Sequence, residues 1–127
     1  MKTISIVALG AIFLSACVAQ SGVKGLKEKT ELFQQSIRWS SLNAASAQMD
    51  PHFKADLINH YSTWIANNKM VEYSIIGTQM NETKDKAQIW VEFSYYEIAY
   101  EQLKKKREQQ TWAFNSKANQ WMIQAVE

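Results

Sequence analysis

The segment Ile89-Trp90-Val91-Glu92-Phe93-Ser94-Tyr95-Tyr96 decides the fold that this sequence predicts. Apolar residues occupy every second position from its first residue, which is the pattern of a β-strand with one buried face. Beyond Tyr96 the apolar residues change parity, to Ile98 and Tyr100. A change of parity within a long strand predicts a β-bulge, and a bulge bends the sheet that contains it.

Shorter alternating runs on both sides of this segment predict three further strands. One run begins at Met70, another contains Trp112 and Phe114, and the last contains Trp121 and Ile123. Polar segments with turn-forming residues separate the strands at residues 81–85, 102–106 and 115–119. Because consecutive strands joined by short turns pair antiparallel, these runs predict a four-stranded antiparallel meander.

Two stretches with helical periodicity precede the strands. Thr30 is a suitable N-cap for the first helix, in which Phe33 and Ile37 share one face. The second helix has a wider apolar face, formed by Phe53, Leu57, Tyr61, Trp64 and Ile65. A face of this width must bury against a broad partner, which only the sheet provides. We therefore expect an α+β domain with two N-terminal helices packed on a bent four-stranded antiparallel sheet.

The beginning of the chain has the form of a secretory signal. Lys2 precedes an apolar run at 4–14, which is shorter than the roughly 20 residues of a membrane-spanning helix. The run ends in Leu14-Ser15-Ala16-Cys17, which resembles the lipobox of bacterial lipoproteins, where cleavage precedes the cysteine and the thiol is acylated. Cys17 is also the only cysteine, so no intramolecular disulfide can form.

This resemblance implies a domain organisation and a location. We expect a lipoprotein signal peptide at 1–16, a lipidated tether at 17–29 and the folded domain at 30–127. Palmitate and further acyl chains on Cys17 would hold the protein at a membrane, because each buried methylene contributes about 0.8 kcal/mol. Val18 follows the cysteine in place of Asp. By the sorting rule of enteric lipoproteins, this residue implies the outer membrane. We expect the body to face the periplasm, and exposure at the cell surface stays an open alternative.

The charge of the chain excludes general attraction to nucleic acid. The formal net charge is +2, and removal of 1–16, whose one charged residue is Lys2, leaves +1. A nearly neutral body gives no electrostatic footprint for nucleic acid. The one basic run is Lys104-Lys105-Lys106-Arg107. It is either a solvated turn or a patch that touches anionic lipid headgroups.

The order of helices and strands resembles the nuclear transport factor 2-like (cystatin-like) superfold, in which a bent sheet wraps a helix and encloses a cone. The likeness lies in Ser36-Ile37-Arg38-Trp39-Ser40 leading to Met49-Asp50-Pro51, and in the closing hairpin from Gln110 to Ile123. Together with the lipobox, these segments resemble small proteobacterial lipoproteins of this fold, which have no assigned activity. The final turn, 115–119, lacks the glycine often found there, and Asn can replace it by adopting the left-handed conformation.

Enzymes of this superfold, such as ketosteroid isomerases and dehydratases, place Asp, His or Tyr inside the cone, and no such catalytic set stands out here. His60 lies beside the apolar face of the second helix, so His60, Tyr61 and Tyr95 form the predicted pocket. Glu92 and Glu97 are the carboxylates that an enzyme would need to direct inward. No His, Cys or acidic cluster has the spacing of a metal site, and no cofactor is expected.

The sequence contains five Trp, five Tyr and five Phe residues, most of which should be core. Trp90 alternates out of phase with Ile89, Val91 and Phe93. If these three residues face the helices, Trp90, Tyr96 and Tyr100 form an aromatic row on the opposite, outward face of the sheet. Such a row is a plausible surface for docking a protein or for forming a homodimer through the sheet. The opposite orientation would make the row the lining of the cone.

These observations favour a non-enzymatic cell-envelope lipoprotein whose domain docks a protein partner or binds a small apolar ligand. Two alternatives stay open. One is an isomerase, dehydratase or hydrolase acting on a small hydrophobic substrate. The other is a purely structural component of the envelope.

Overall fold

The computed structural model describes residues 22–127, with no side-chain description for residues 23 and 24. Three helices precede four strands. The helices are α1 (Val23–Arg38), α2 (Leu42–Ser46) and α3 (Lys54–Asn67), and the strands are β1 (Asn68–Met80), β2 (Lys86–Glu97), β3 (Leu103–Asn115) and β4 (Gln120–Val126). The strands form one antiparallel sheet in the order β1-β2-β3-β4. The predicted α+β class and the four-stranded meander are confirmed.

The helices cover one face of the sheet, here called the inner face, and the core lies between them. Ile89, Val91 and Phe93 of β2 point into this core with no more than 4% of their surface exposed, as the alternation predicts. Phe33 of α1 is fully buried and meets the rings of Tyr61 and Trp112 edge-on, with centroids 5.2 and 5.6 Å away. These contacts join both long helices to the sheet.

The first helix begins earlier than the sequence predicts. α1 starts at Val23, after Gly22, so residues 23–29 of the predicted tether are helical and the N-cap prediction at Thr30 is wrong. Thr30 lies inside α1, where its hydroxyl donates to the carbonyl of Lys27. The reason is burial: Leu26 and Thr30 are each 1% exposed and continue the face of Phe33 toward the N-terminus. The predicted signal peptide at 1–16 and Cys17 lie outside the described residues.

The helix ends at Arg38. Ser40 adopts a left-handed conformation with φ of 55°, and the amides of Ser40 and Ser41 donate to the carbonyls of Ile37 and Ser36. This pair of bonds is the Schellman motif, which ends a helix. The hydroxyl of Ser41 then caps the short helix α2 by accepting from the amide of Ala44.

The sheet is irregular at other positions than predicted. The pairing of β1 with β2 shifts between Met70 and Glu72 and between Ile75 and Gly77, whereas β2 and β3 pair without interruption. The predicted bulge after Tyr96 is therefore wrong, and the change of parity marks the end of β2 and a turn at 98–102. The basic run at 104–107 lies in β3, beyond that turn.

The segment between α2 and α3 hydrogen-bonds to the edge strand β4. The amide of Asp50 donates to the carbonyl of Ile123, and the amide of Ile123 donates to the carbonyl of Gln48, each at 2.9 Å. Near this strand, Asn119 adopts the left-handed conformation in the final turn, with φ of 55°. Among the described helices, none combines the length and the hydropathy needed to cross a bilayer.

Two adjacent residues of α1 test where the core lies. We expect Phe33→Ala to lower the free energy of unfolding by about 3–5 kcal/mol, because a fully buried ring leaves a cavity. Leu32→Ala is the matched control, since Leu32 is 50% exposed, and it should change stability by about 0.5 kcal/mol or less. Urea denaturation followed by circular dichroism measures both, and equal losses would contradict the described orientation of α1.

Candidate functional site

A buried carboxyl group, that of Glu108, is the centre of the candidate site. Glu108 lies on β3, two positions before Gln110 and four before Trp112, so the three side chains share the inner face. Only 6% of Glu108 is exposed, and Gln110 and Trp112 are fully buried. A buried carboxyl group requires hydrogen-bonding partners, and Tyr61 of α3 and Gln110 of β3 provide them.

α3 contributes an aromatic hydroxyl and an imidazole. The hydroxyl of Tyr61 donates to Oε2 of Glu108 at 3.1 Å, and Nε2 of His60 lies 3.8 Å from Oε1 of the same residue. The His60 ring meets the Tyr61 ring edge-on, with centroids 4.8 Å apart. Tyr61 is buried and the His60 side chain is 41% exposed, so His60 lies at the boundary with solvent.

α1 contributes an amide that extends the network across the core. Gln34 and Gln110 exchange two hydrogen bonds, of 2.7 and 3.3 Å, between their side-chain amides. The Gln110 amide also donates to Oε2 of Glu108 at 2.8 Å, and the indole of Trp112 donates to Oε1 of Gln110 at 3.1 Å. The network, defined as Gln34, Tyr61, Glu108, Gln110 and Trp112, thus joins α1 and α3 to β3.

The network alters the acid–base behaviour of Tyr61. Burial raises the pKa of its phenol well above 10.0, and the negative charge of Glu108 and the hydrogen bond to Glu108 raise this pKa further. Tyr61 therefore stays protonated at neutral pH and acts as a hydrogen-bond donor. The arrangement could hold a proton between Tyr61 and Glu108, but a substrate would have to reach it.

The space beside Glu108 is very small. A cavity of about 10 Å³ lies among Gln34, Ile37, Tyr61, Trp64, Met70, Phe93 and Glu108. It is no larger than one water molecule requires. Tyr95, the third predicted pocket residue, packs with Trp64 and Phe93 at centroid distances of 5.6 and 5.7 Å. Of the predicted pocket, His60 and Tyr61 thus meet at Glu108, whereas Tyr95 belongs to the aromatic packing that fills the cone.

A much larger depression lies outside the cone, between α1 and the edge strand β1. Its volume is about 650 Å³. Leu26, Ile75 and Ile89 contribute apolar surface to it, and Thr30, Tyr73, Thr78, Lys27, Glu31 and Arg38 contribute polar groups. The Tyr73 hydroxyl donates to Oε2 of Glu31 at 2.7 Å, which links the two walls. Partial burial and the Glu31 carboxylate raise the pKa of Tyr73.

The carboxylates expected from the sequence do not reach the interior site. Glu92 lies on the outer face of the sheet and accepts from Nε of Arg107 at 3.0 Å. Glu97 ends β2 and pairs with Nζ of Lys104 at 2.6 Å. Among the described residues, no group of three or more His, Cys, Asp or Glu side chains could hold a metal ion.

Glu108 was missed because the predicted hairpin ended too close to it. The alternation that contains Trp112 and Phe114 continues backward through Gln110 to Glu108 once β3 is allowed to start at Leu103. Following this two-residue alternation back from Trp112 places Glu108 on the inner face, and it is the sequence signal for this residue.

The predicted aromatic row is not continuous. Trp90 lies on the outer face and covers Gly77, where an added Cβ would lie 3.3 Å from Cε3 of the indole. Tyr96 faces the same side, but Glu92 and Ser94 separate it from Trp90 along β2. Tyr100 lies in the following turn and is 75% exposed. A homodimer through this face stays a prediction.

Alkaline unfolding tests the Tyr61 environment. Because the folded pKa of Tyr61 lies above the unfolded value, its stabilisation is complete below about pH 10 and is lost as pH rises through the folded pKa. Tyr73 and Lys104 shift in the same direction. We expect Tyr61→Phe to make the fall in unfolding free energy above pH 10 shallower, by up to about 1.4 kcal/mol per pH unit.

Tyr100→Phe is the control, since Tyr100 is largely exposed. Urea denaturation between pH 8 and pH 11 gives the slopes, with these limits set at about two units below and one unit above the tyrosine pKa. Identical alkaline slopes in the two variants would contradict the described burial of Tyr61.

Comparison with known proteins adds structural likeness only. The sequence matches no protein-family model and no curated protein. A ketosteroid isomerase-like protein from Erwinia carotovora atroseptica SCRI1043 has 12% identity and a TM-score of 0.62, over 81% of this chain and 91% of that chain. The Δ5-3-ketosteroid isomerase from Mycobacterium sp. has 12% identity and a TM-score of 0.62, over 82% and 91%.

A further similar structure is an NTF-2 like protein of unknown function from Shewanella oneidensis MR-1. It has 7% identity and a TM-score of 0.62, over 81% of this chain and 94% of that chain. Identities this low carry no information on activity or ligand. The TM-scores do show a shared fold, and this chain has the nuclear transport factor 2-like, or cystatin-like, fold.

Proposed function

We propose that this chain is a bacterial lipoprotein, anchored in the outer membrane through Cys17 and facing the periplasm, whose body is a non-enzymatic binding domain. The lipobox-like sequence Leu14-Ser15-Ala16-Cys17 and the lone cysteine support the anchor. α1 begins at Val23, so the folded body would follow the anchor after only a few residues.

The filled interior of the cone is the observation that carries the non-enzymatic part of the proposal. About 10 Å³ is free beside Glu108, whereas a ligand site normally needs about 300–1,000 Å³. Oε2 of Glu108 accepts from Tyr61 and from Gln110, so that oxygen is already occupied. A substrate would have to displace core side chains before it could meet the carboxyl group.

The depression between α1 and β1 is the place where we propose that a small ligand binds. Its volume of about 650 Å³ falls within the usual range for ligand sites. Ile75 can cover an apolar body, and Tyr73 and Arg38 can pair with a polar end. These linings fit a small amphipathic molecule. The outer face offers a protein partner a less continuous apolar surface, because the ion pair of Glu92 with Arg107 interrupts it.

An enzyme of the isomerase, dehydratase or hydrolase type is the second candidate. Glu108 favours it, because a buried carboxyl group with His60 at 3.8 Å is a group that could move a proton. Two proteins of similar fold carry ketosteroid isomerase in their names. This candidate stands second because the cavity beside Glu108 is too small for a substrate. If the protein isomerises a ketosteroid and Glu108→Gln abolishes this activity, the enzyme becomes the preferred function.

The anchor can be tested by metabolic labelling. Cells expressing the wild-type chain should incorporate radiolabelled palmitate into the protein, and Cys17→Ala should abolish the label, because no other cysteine is present. Ser21→Ala, four residues further on, is the control and should keep the label. Persistent labelling of Cys17→Ala, or its unchanged fractionation with membranes, would reject the anchor.

The ligand site can be tested by filling the depression. Thr78 is an exposed residue of β1 that lines the depression, so Thr78→Trp should occupy its volume without disturbing the core. With Nile red, a neutral apolar dye, we expect at least a tenfold loss of affinity in this variant, corresponding to about 1.4 kcal/mol.

Gln79→Trp is the matched control for this substitution. Gln79 is the next residue of β1, is also exposed and lies outside the lining of the depression. It should bind Nile red as the wild type does, in titrations followed by dye fluorescence. Equal affinities for all three proteins would place the dye elsewhere and contradict the proposed site.

A further inference from the structure

Four large apolar side chains are exposed at one end of the molecule. Trp39 follows α1, Ile98 and Tyr100 lie in the turn between β2 and β3, and Leu103 begins β3; they are 70%, 53%, 75% and 65% exposed. We call this end the β2–β3 pole and define it by these four residues with Arg38, Lys69, Tyr96, Lys104, Lys105 and Lys106. Exposed apolar residues are common singly, but a group of this kind marks a contact surface.

The backbone brings these residues together. Lys69 of β1 pairs with Tyr96 of β2, which pairs with Leu103 of β3, so the three side chains form one row on the outer face. Nζ of Lys69 donates to the carbonyl of Arg38 at 2.5 Å and lies 5.9 Å from the ring centroid of Trp39. The row and the end of α1 therefore belong to one continuous surface.

The pole carries more positive than negative charge. Lys104 is paired with Glu97. Four other cations have no carboxylate partner within residues 22–127, and they are Arg38, Lys69, Lys105 and Lys106. The acids near them without an ion pair in that range are Glu31, Glu72 and Glu101, which leaves an excess of one positive charge. Arg38 and Lys69 flank the Trp39 ring within 6 Å of its centroid.

We propose that the β2–β3 pole rests on the anionic headgroups of a lipid bilayer. The inference depends on the proposed acylation of Cys17, which would keep the pole close to a membrane. Trp and Tyr rings next to Lys and Arg are the combination that settles at the interface of a bilayer, where the rings meet the acyl boundary and the cations meet phosphates. The pole is a protruding turn and strand end, which suits a flat, deformable surface.

The position of the anchor constrains how the body would lie. α1 and β1 run antiparallel, since Glu31 meets Tyr73 and the end of α1 meets Lys69. Gly22 is therefore at the other end of α1 from Trp39, about 24 Å away for a helix of 16 residues. The five residues from Cys17 to Gly22 can reach at most about 18 Å. Anchor and pole can therefore meet one leaflet only if α1 does not stand upright on the membrane.

Depth-dependent quenching of Trp39 tests the contact. Acylated protein is reconstituted into vesicles that contain phosphatidylglycerol and lipids brominated near the headgroup. We expect bromine to quench a component of the tryptophan fluorescence that is missing in Trp39→Phe. In vesicles that contain the brominated lipid but no phosphatidylglycerol, this component should be quenched much less. The lysine and arginine side chains of the pole gain little there, because anionic headgroups are missing.

A pair of charge reversals separates the pole from general electrostatics. Lys105→Glu with Lys106→Glu should shift the contact equilibrium away from the membrane at least about fivefold, since each cation near an anionic surface matters on that scale. Lys84→Glu with Lys86→Glu makes the same change of charge at exposed positions near the opposite end, and quenching should stay as in the wild type. Equal effects of the two pairs would overturn the proposal.

The outcomes also separate this inference from the proposed anchor. If the protein floats with the vesicles and Trp39 is not quenched, the anchor stands and the pole contact is overturned. If the protein does not float, the anchor fails, and the contact fails with it. If Trp39 is unquenched but residues of the pole cross-link to an acidic envelope protein, the pole is assigned to a protein partner instead.

Discussion

The hydrogen bonds around Glu108 hold this structure in one arrangement. Gln34 of α1 bonds the amide of Gln110, and Tyr61 of α3 bonds the carboxyl group of Glu108, both on the inner face of β3. A buried network of this kind stabilises only when its members are satisfied together, because each unpaired group would cost about 1–3 kcal/mol. The helices consequently have little freedom to slide on the sheet. Phe33, set between Tyr61 and Trp112, adds the apolar contacts that keep water away from the network.

The same packing removes the chamber that this fold can enclose. Trp64, Phe93 and Tyr95 pack ring against ring where a cavity would open, and about 10 Å³ stays free beside Glu108. The binding surfaces that we propose accordingly lie outside the cone, at the depression beside β1 and at the β2–β3 pole. The charge of the buried carboxyl group is offset by hydrogen-bond donors, and burial alone does not identify a carboxyl group as catalytic.

The predictable and unpredictable parts of the fold differ in the range of the interactions behind them. The alternation around Val91 predicted β2 and its buried face, because one strand contains the whole signal. The start of α1 was missed since a local capping preference at Thr30 was outweighed by burial of Leu26. The beginning of β3 has no apolar alternation to reveal it, because Lys104, Lys105 and Lys106 occupy both faces of the strand there. Glu108 breaks the apolar pattern, and its partner Tyr61 is 47 residues away.

α1 connects the features on which the two proposals depend. One face of the helix enters the core through Phe33, its flank at Glu31 borders the depression, and its last residue carries the cation beside Trp39. Since the helix is held by the network at Gln34, the depression and the β2–β3 pole keep a fixed relation to each other. A body laid down with α1 along a bilayer would then hold the depression at a constant height above the lipid. The orientation of one helix would thereby decide whether an amphipathic ligand enters from the membrane surface or from water.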